Sequence, residues 1–175
     1  MKHPAPQRRA VLGLAALGLL GGFGVLPAHA LHAPTGTVLL TVGGAIANAN
    51  GNGAASFDLT LLQKLPQSSF STRTPWYPTP RKFSGVLLRD LLAGVGAPPG
   101  VTIRAVALND YRVDIPADEA VRHGALLAYL LDDKPMPVRE KGPLMLVFPF
   151  DDRPELRTAL QYSRAIWQLR RLELQ

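Results

Sequence analysis

Apolar and polar residues fall along this chain in short runs, each bounded by glycine, proline or an acidic residue, and the runs predict a series of small elements. Thr37-Val-Leu-Leu-Thr-Val42 is β-branched, ends at Gly43-Gly44 and predicts a strand. Ala47 to Ala55 is small, polar and glycine-rich, which predicts a loop. Asp58 is placed to cap Leu59 to Leu65, and Pro66 stops that helix. Leucines 87, 88, 91 and 92 recur at helical spacing, so Val86 to Ala93 predicts a second helix, entered by Ser84 and closed by Gly94 and Gly96. Val101 to Leu108 alternates like a half-buried strand, Asn109-Asp110 turns it, and Tyr111 to Ile115 runs on extended. Pro116 then opens a helix through Ala120 to His123, with Asp118 and Glu119 near its positive end and His123 at its negative one. Ala125 to Leu131 and Leu144 to Phe148 are continuous apolar runs and predict buried strands. Pro154 to Leu160 predicts a short helix, and Ala165 to Leu174 a last strand through Trp167. Short strands mixed with short helices, without regular alternation, predict an α+β (mixed α/β) domain.

The segment Phe70 to Gly85 stands apart, with three prolines, four aromatics, hydroxyls and two guanidinium groups crowded into sixteen residues. It reads as irregular structure. Pro75, Pro78 and Pro80 lack an amide hydrogen and push the residue before them out of the helical region, so Arg73 to Lys82 is expected to be extended and stiff. Trp76 and Tyr77 offer flat faces with polar tips beside the donors of Thr72, Arg73 and Thr74, a set that suits a planar polar heterocycle. A proline-rich connection whose tryptophan plugs the domain edge accounts for the same residues.

Composition narrows the classes. Lys2, Arg8 and Arg9 precede the uncharged run Ala10 to Leu26, and Ala28-His29-Ala30 has the form of a cleavage site, so residues 1–30 read as a signal peptide removed after Ala30. The expected destination is the periplasm, by the secretory or the twin-arginine route. Of nineteen basic residues three lie in that leader, leaving sixteen against thirteen acidic ones, a balance of +3. The basic residues are scattered from Lys64 to Arg171, without the stripe that nucleic acid requires. There is no cysteine, hence no disulfide, thiolate nucleophile or thiolate metal ligand. His123 is the one histidine well inside the mature domain, which argues against a histidine metal site.

Three polar loops punctuate the core: Thr72 to Trp76, Asn109 to Tyr111, and Phe150 to Arg153. Converging, they would form one pocket. Asp110 or Asp152 would accept paired hydrogen bonds from an amidine-like edge, such as that of a pterin or guanine, and Arg73 or Arg153 would hold a ring carbonyl or an anionic tail. Asp110 equally suits a turn bonding its own backbone, and Asp151-Asp152 a cap ahead of Pro154. No nucleophile elbow, catalytic triad or phosphate-cradling loop is present.

The order of motifs resembles the sulfite-oxidase-like, oxidoreductase molybdopterin-binding domain family. It rests on Phe83-Ser-Gly-Val-Leu-Leu-Arg-Asp-Leu-Leu92, Val106-Ala-Leu-Asn-Asp-Tyr111 with Ile115-Pro116, Leu127 to Met136, Gly142 to Pro149 and the terminal Trp167 to Leu174. The resemblance implies a compact mixed α/β fold around a pterin-cofactor pocket. Catalytic members hold molybdenum through a cysteine in a loop corresponding to Phe70 to Trp76, where this chain has only hydroxyls. The Asp-Gly-Tyr motif of the family is replaced by Asn109-Asp110-Tyr111. Thr72 to Trp76 is similar to a cysteine-free branch of small periplasmic proteins that bind a pterin and signal to a membrane-bound cyclic-di-GMP enzyme. This implies a free pterin, without molybdenum, held by Thr72, Arg73, Thr74, Trp76, Asn109, Asp110, Tyr111, Asp152 and Arg153. The implied partner is the periplasmic domain of such an enzyme or of a sensor kinase. The alternative is an oxidoreductase, or its subunit, with molybdenum weakly held or ligated by Ser71 or Thr72.

Overall fold

The computed structural model describes Met1 and residues 31–175; the expected leader and its cleavage after Ala30 lie outside the described residues. In chain order the elements are β1 (Leu40–Gly44), β2 (Ala55–Phe57), α1 (Leu59–Lys64), β3 (Gln67–Thr74), β4 (Tyr77–Leu87), α2 (Leu88–Gly94), β5 (Thr102–Ala107) and β6 (Arg112–Pro116). They continue with α3 (Ala117–Arg122), β7 (Leu126–Leu131), β8 (Lys134–Pro135), β9 (Met145–Val147), α4 (Ala159–Arg164) and β10 (Leu169–Leu174). Single 3₁₀ turns cover Val138–Glu140 and Pro154–Leu156.

The strands form two five-stranded sheets. The first has the order β2-β1-β10-β5-β6, with β1 and β10 parallel, so the last strand of the domain sits beside the first. The second has the order β3-β4-β7-β8, and β9 pairs with β7 beyond the end of β8. One core joins them, from Leu40, Ile103 and Leu172 of the first sheet to Phe83, Leu127 and Leu146 of the second. Leu88 and Leu91 bury the inner side of α2 in that core, as leucines at helical spacing require. Among the described residues no helix is long and apolar enough to cross a membrane.

Much of the predicted order is present: the α1 helix capped by Asp58, the strand–turn–strand of β5 and β6, α3 running to His123, and the apolar β7 and β9. Several elements differ. The segment Phe70 to Gly85, expected to be an extended but irregular loop, is extended as most of an antiparallel hairpin in which β3 and β4 meet at a two-residue turn, Pro75-Trp76. Its prolines are tolerated because β4 gains a second neighbour only at Phe83, opposite Leu131 at the end of β7, so Pro78 and Pro80 lie before the doubly paired part. The strand also runs through Val86 and Leu87, so α2 starts at Leu88 and Ser84 does not enter it. Residues 55–57, expected as the end of a loop and a lead into helix, form the short β2 against β1. Pro154 gives only a 3₁₀ turn, the helix follows at Ala159–Arg164, and the last strand starts beyond Trp167, at Leu169.

Candidate functional site

The hairpin tip and the Phe150 loop meet. Thr72 is fully buried, its hydroxyl accepting the Asp151 N–H (3.0 Å) and donating to the Arg73 carbonyl (3.2 Å). Asp151 in turn accepts the Arg73 N–H (3.0 Å), the Arg157 guanidinium (2.7 Å) and, at 3.5 Å, that of Arg73. Arg157 also donates to the Phe150 carbonyl at 2.9 Å, which ties the 3₁₀ turn back onto the loop. At the turn itself the Thr74 hydroxyl accepts the Tyr77 N–H (3.1 Å). These bonds fasten chain segments almost eighty residues apart and leave a cavity of about 240 Å³. Its walls are Arg73, Thr74, Pro75 and Pro78 on the hairpin side, and Phe150, Asp151, Arg157 and Tyr162 on the other.

Tyr162 comes from α4, packed against Phe150 with ring centroids 4.9 Å apart. Two contacts hold that helix. Thr158 caps it by accepting the Gln161 N–H, and Glu119 of α3 accepts hydrogen bonds from Gln161 (2.7 Å) and the nearly buried Arg164 (2.8 Å). Burial alone would raise the Glu119 carboxyl, but the bonds from Gln161 and Arg164 outweigh it and hold the group below the ordinary carboxylate value.

The predicted site residues divide. Arg73 and Thr74 line this cavity, and Thr72 builds its frame. Trp76 stands beside it in the turn, half-buried against the core, its indole N–H buried without an acceptor. Asp152 and Arg153 follow directly in the chain, Asp152 exposed and Arg153 donating its N–H to the Pro149 carbonyl (3.0 Å), and neither lines the cavity. The middle loop is elsewhere. Asn109 and Tyr111 line a separate 170 Å³ pocket with Trp167, while Asp110 adopts positive φ and pairs with Arg170 (2.6 Å). The Tyr111 hydroxyl donates to the Ser163 carbonyl (3.0 Å), so α4 lies between the two pockets. Thus the first and third loops converge and the second does not join them. Phe150, Asp151, Arg157 and Tyr162 were not singled out from the sequence as ligand groups. The spacing Thr158-x-x-Gln161, a helix-start signature, marks the helix that delivers Tyr162.

Another hollow is larger, about 710 Å³, but it is a broad dish on the outer face of the first sheet around Thr41, Val106, Leu108 and Arg171. None of the predicted ligand residues lines it. Of its charges Arg171 pairs with Glu173, while Arg170 and, at 4.0 Å, Arg112 share Asp110.

One mixed and one antiparallel sheet thus carry a polar site at the β3–β4 turn. Residues 50–150, more than half of the chain, match the oxidoreductase molybdopterin binding domain, and the chain belongs to that family. In fold it is similar to the sulfane dehydrogenase SoxCD from Paracoccus pantotrophus, with a TM-score of 0.58 and 18% identity over 77% of this chain. The match takes in 37% of that chain, so this domain spans little more than a third of its relative's length. Among curated protein sequences none matches.

The residues present can be weighed against the family's cofactor. Thr72, the fully buried hydroxyl of the hairpin, has both its donor and its acceptor role taken by backbone groups. The chain has no thiolate to offer a soft metal, and among the described residues no group of three or more His, Asp or Glu gathers as a ligand set. The organic part of such a cofactor meets a better match in two guanidinium groups, a tyrosine ring and a neighbouring carboxylate.

Proposed function

We propose that this is an exported molybdopterin-binding-domain protein that binds a free pterin, without molybdenum, at the β3–β4 turn and relays its presence to a membrane signalling partner. The observation that carries the reading is the cavity itself: Arg73 and Arg157 border it beside the Tyr162 ring, while the Thr72 hydroxyl is spent on the frame. In this account Tyr162 stacks on the ligand, and Arg73 and Arg157 donate to its ring carbonyl. Trp76 lends its unpartnered N–H at the turn. The volume of about 240 Å³ suits one bicyclic ring, since pockets for larger ligands run to roughly 300–1,000 Å³. Export rests on the leader-like first thirty residues, and the partner, the periplasmic domain of a cyclic-di-GMP enzyme or sensor kinase, on the resemblance of Thr72 to Trp76.

Titration with neopterin and its dihydro and tetrahydro forms, followed by tryptophan fluorescence and calorimetry, tests the site. Binding of one equivalent is expected, weakened about tenfold or more by Arg157→Ala, the scale of one lost charge-assisted hydrogen bond. No heat and no quenching with any of the three would contradict it. Family membership favours a second reading, a molybdopterin-dependent oxidoreductase or its subunit. There Ser71, exposed on β3, is the nearby hydroxyl not already engaged in the frame, and Ser71→Ala would lose metal.

A further inference from the structure

Eight large apolar side chains are exposed among the described residues, and six of them line or adjoin two neighbouring hollows. Scattered singly, such residues carry no message; gathered, they mark a surface made to be covered. Tyr111 and Trp167 line the 170 Å³ pocket, while Val38, Leu108 and Val138 line the broad dish on the first sheet. One residue joins the two. Gln168, in the wall of the pocket, donates its N–H to the Lys141 carbonyl (2.9 Å) and its side-chain amide to the Val138 carbonyl (2.7 Å), and its own carbonyl accepts the Leu108 N–H (2.9 Å). Leu160 extends the patch along α4, one turn before Ser163, whose carbonyl accepts the Tyr111 hydroxyl. The frame is strained as well, with Asp110, Lys141 and Gln168 all at positive φ (63°, 73° and 53°). Such conformations are costly for residues that carry a side chain, and they cluster where a binding surface is held in shape.

The composition of the patch indicates its occupant. At 170 Å³ the pocket lies below the roughly 300–1,000 Å³ of small-molecule sites and leaves room for one side chain. Tryptophan, tyrosine and arginine around it are the residues that carry most of the energy of protein contacts. Charge narrows the choice further. Arg171 pairs with Glu173, but Arg112 and Arg170 share the single carboxylate of Asp110. The Lys141 ammonium lies 4.9 Å from the centre of the Trp167 ring and, among the described residues, pairs with no carboxylate, since the adjacent Glu140 pairs with Arg139. The surface is therefore short of negative charge, which a complementary partner supplies. Two concave hollows side by side also receive a protruding chain segment better than a flat lipid surface. We propose that this face docks a segment of a partner protein, with an aromatic or aliphatic side chain in the Tyr111–Trp167 pocket and aspartate or glutamate residues beside it meeting Arg112, Arg170 and Lys141. The inference stands apart from the pterin reading, because no bound ligand enters it.

Selection of a phage-displayed random peptide library on the full chain, with no pterin added, reads the preference of the surface. Enriched peptides are expected to carry an aromatic or large aliphatic residue next to two or more carboxylates, and synthetic copies of them to bind. Trp167→Ala is expected to weaken that binding about tenfold or more. Arg112→Glu is expected to weaken it severalfold and to make it less sensitive to salt. Circular dichroism checks that both variants fold. Enrichment of basic or uncharged peptides, or of none, overturns the proposal, as does binding that survives Trp167→Ala. Sedimentation of the chain alone and with phosphatidylglycerol vesicles tests the other occupants, and a single unbound chain is expected. A dimer or a vesicle-bound fraction that Trp167→Ala abolishes would assign the face to a second copy or to a lipid surface instead and overturn the proposal.

Discussion

A single buried hydroxyl separates two chemistries at the hairpin. Thr72 spends its oxygen on the Asp151 N–H and its hydrogen on the Arg73 carbonyl, so it serves as a brace between two loops. Asp58 has a similar task at the other end of the domain. It is almost fully buried and accepts N–H groups from Leu61, Gly36 and Thr35, fixing both the start of α1 and the segment that enters β1. The bonds from Leu61 and Gly36 hold its carboxyl below the ordinary value of 3.8, against the opposing pull of burial. A folded-state value below the unfolded one contributes stability above the ordinary value, and that contribution is lost as pH falls through the folded value. Asp58→Asn is therefore expected to melt at a lower temperature at neutral pH, with the gap to the unaltered protein closing below about pH 4. Melting curves from pH 7 to about pH 3 check it, and a gap unchanged in acid would show that the charge is not what matters. Of the two roles, the Asp58 cap was readable from its place before a leucine run. The brace at Thr72 was not, because its partner is seventy-nine residues away and nothing local marks the pair.

At the scale of elements, the hairpin depends on a glycine. Gly85 sits at the irregularity where β4 shifts register against β7, and a Cβ there would stand 2.0 Å from the Leu127 carbonyl oxygen and 2.9 Å from the Ala128 Cα. Both are backbone atoms of a buried strand and cannot swing aside. Gly85→Ala is expected to cost about 3 kcal/mol or more, read as a lowered urea midpoint or loss of soluble protein. An unchanged midpoint would mean the two strands separate more easily than their packing implies. Elements with one clear period were legible: the leucine stripe of α2, the alternation of β5 and the apolar run of β7. The β3–β4 hairpin was not, because proline reads as a breaker until it is known which flank of the strand is unpaired. α4 was displaced by the stronger signal of Pro154, although its own cap, Thr158 with Gln161 three residues on, was in plain view.

The whole molecule is a two-sheet domain whose chain order put the family within reach before its geometry was known. Half of the candidate site was equally legible, since polar loops between apolar runs pointed to Thr72 to Trp76 and to the Phe150 loop. Their convergence and the departure of Asn109 to Tyr111 toward Trp167 are products of the sheet order, which places β6 at the far edge of the other sheet. The central claim is that this domain keeps the pterin-binding half of its family's chemistry without the metal-binding half. It is tested most directly by denaturing natively purified protein and determining both its released small molecules, by mass spectrometry, and its molybdenum content. The account predicts a metal-free pterin at near-stoichiometric yield; molybdenum accompanied by a dithiolene pterin would contradict it.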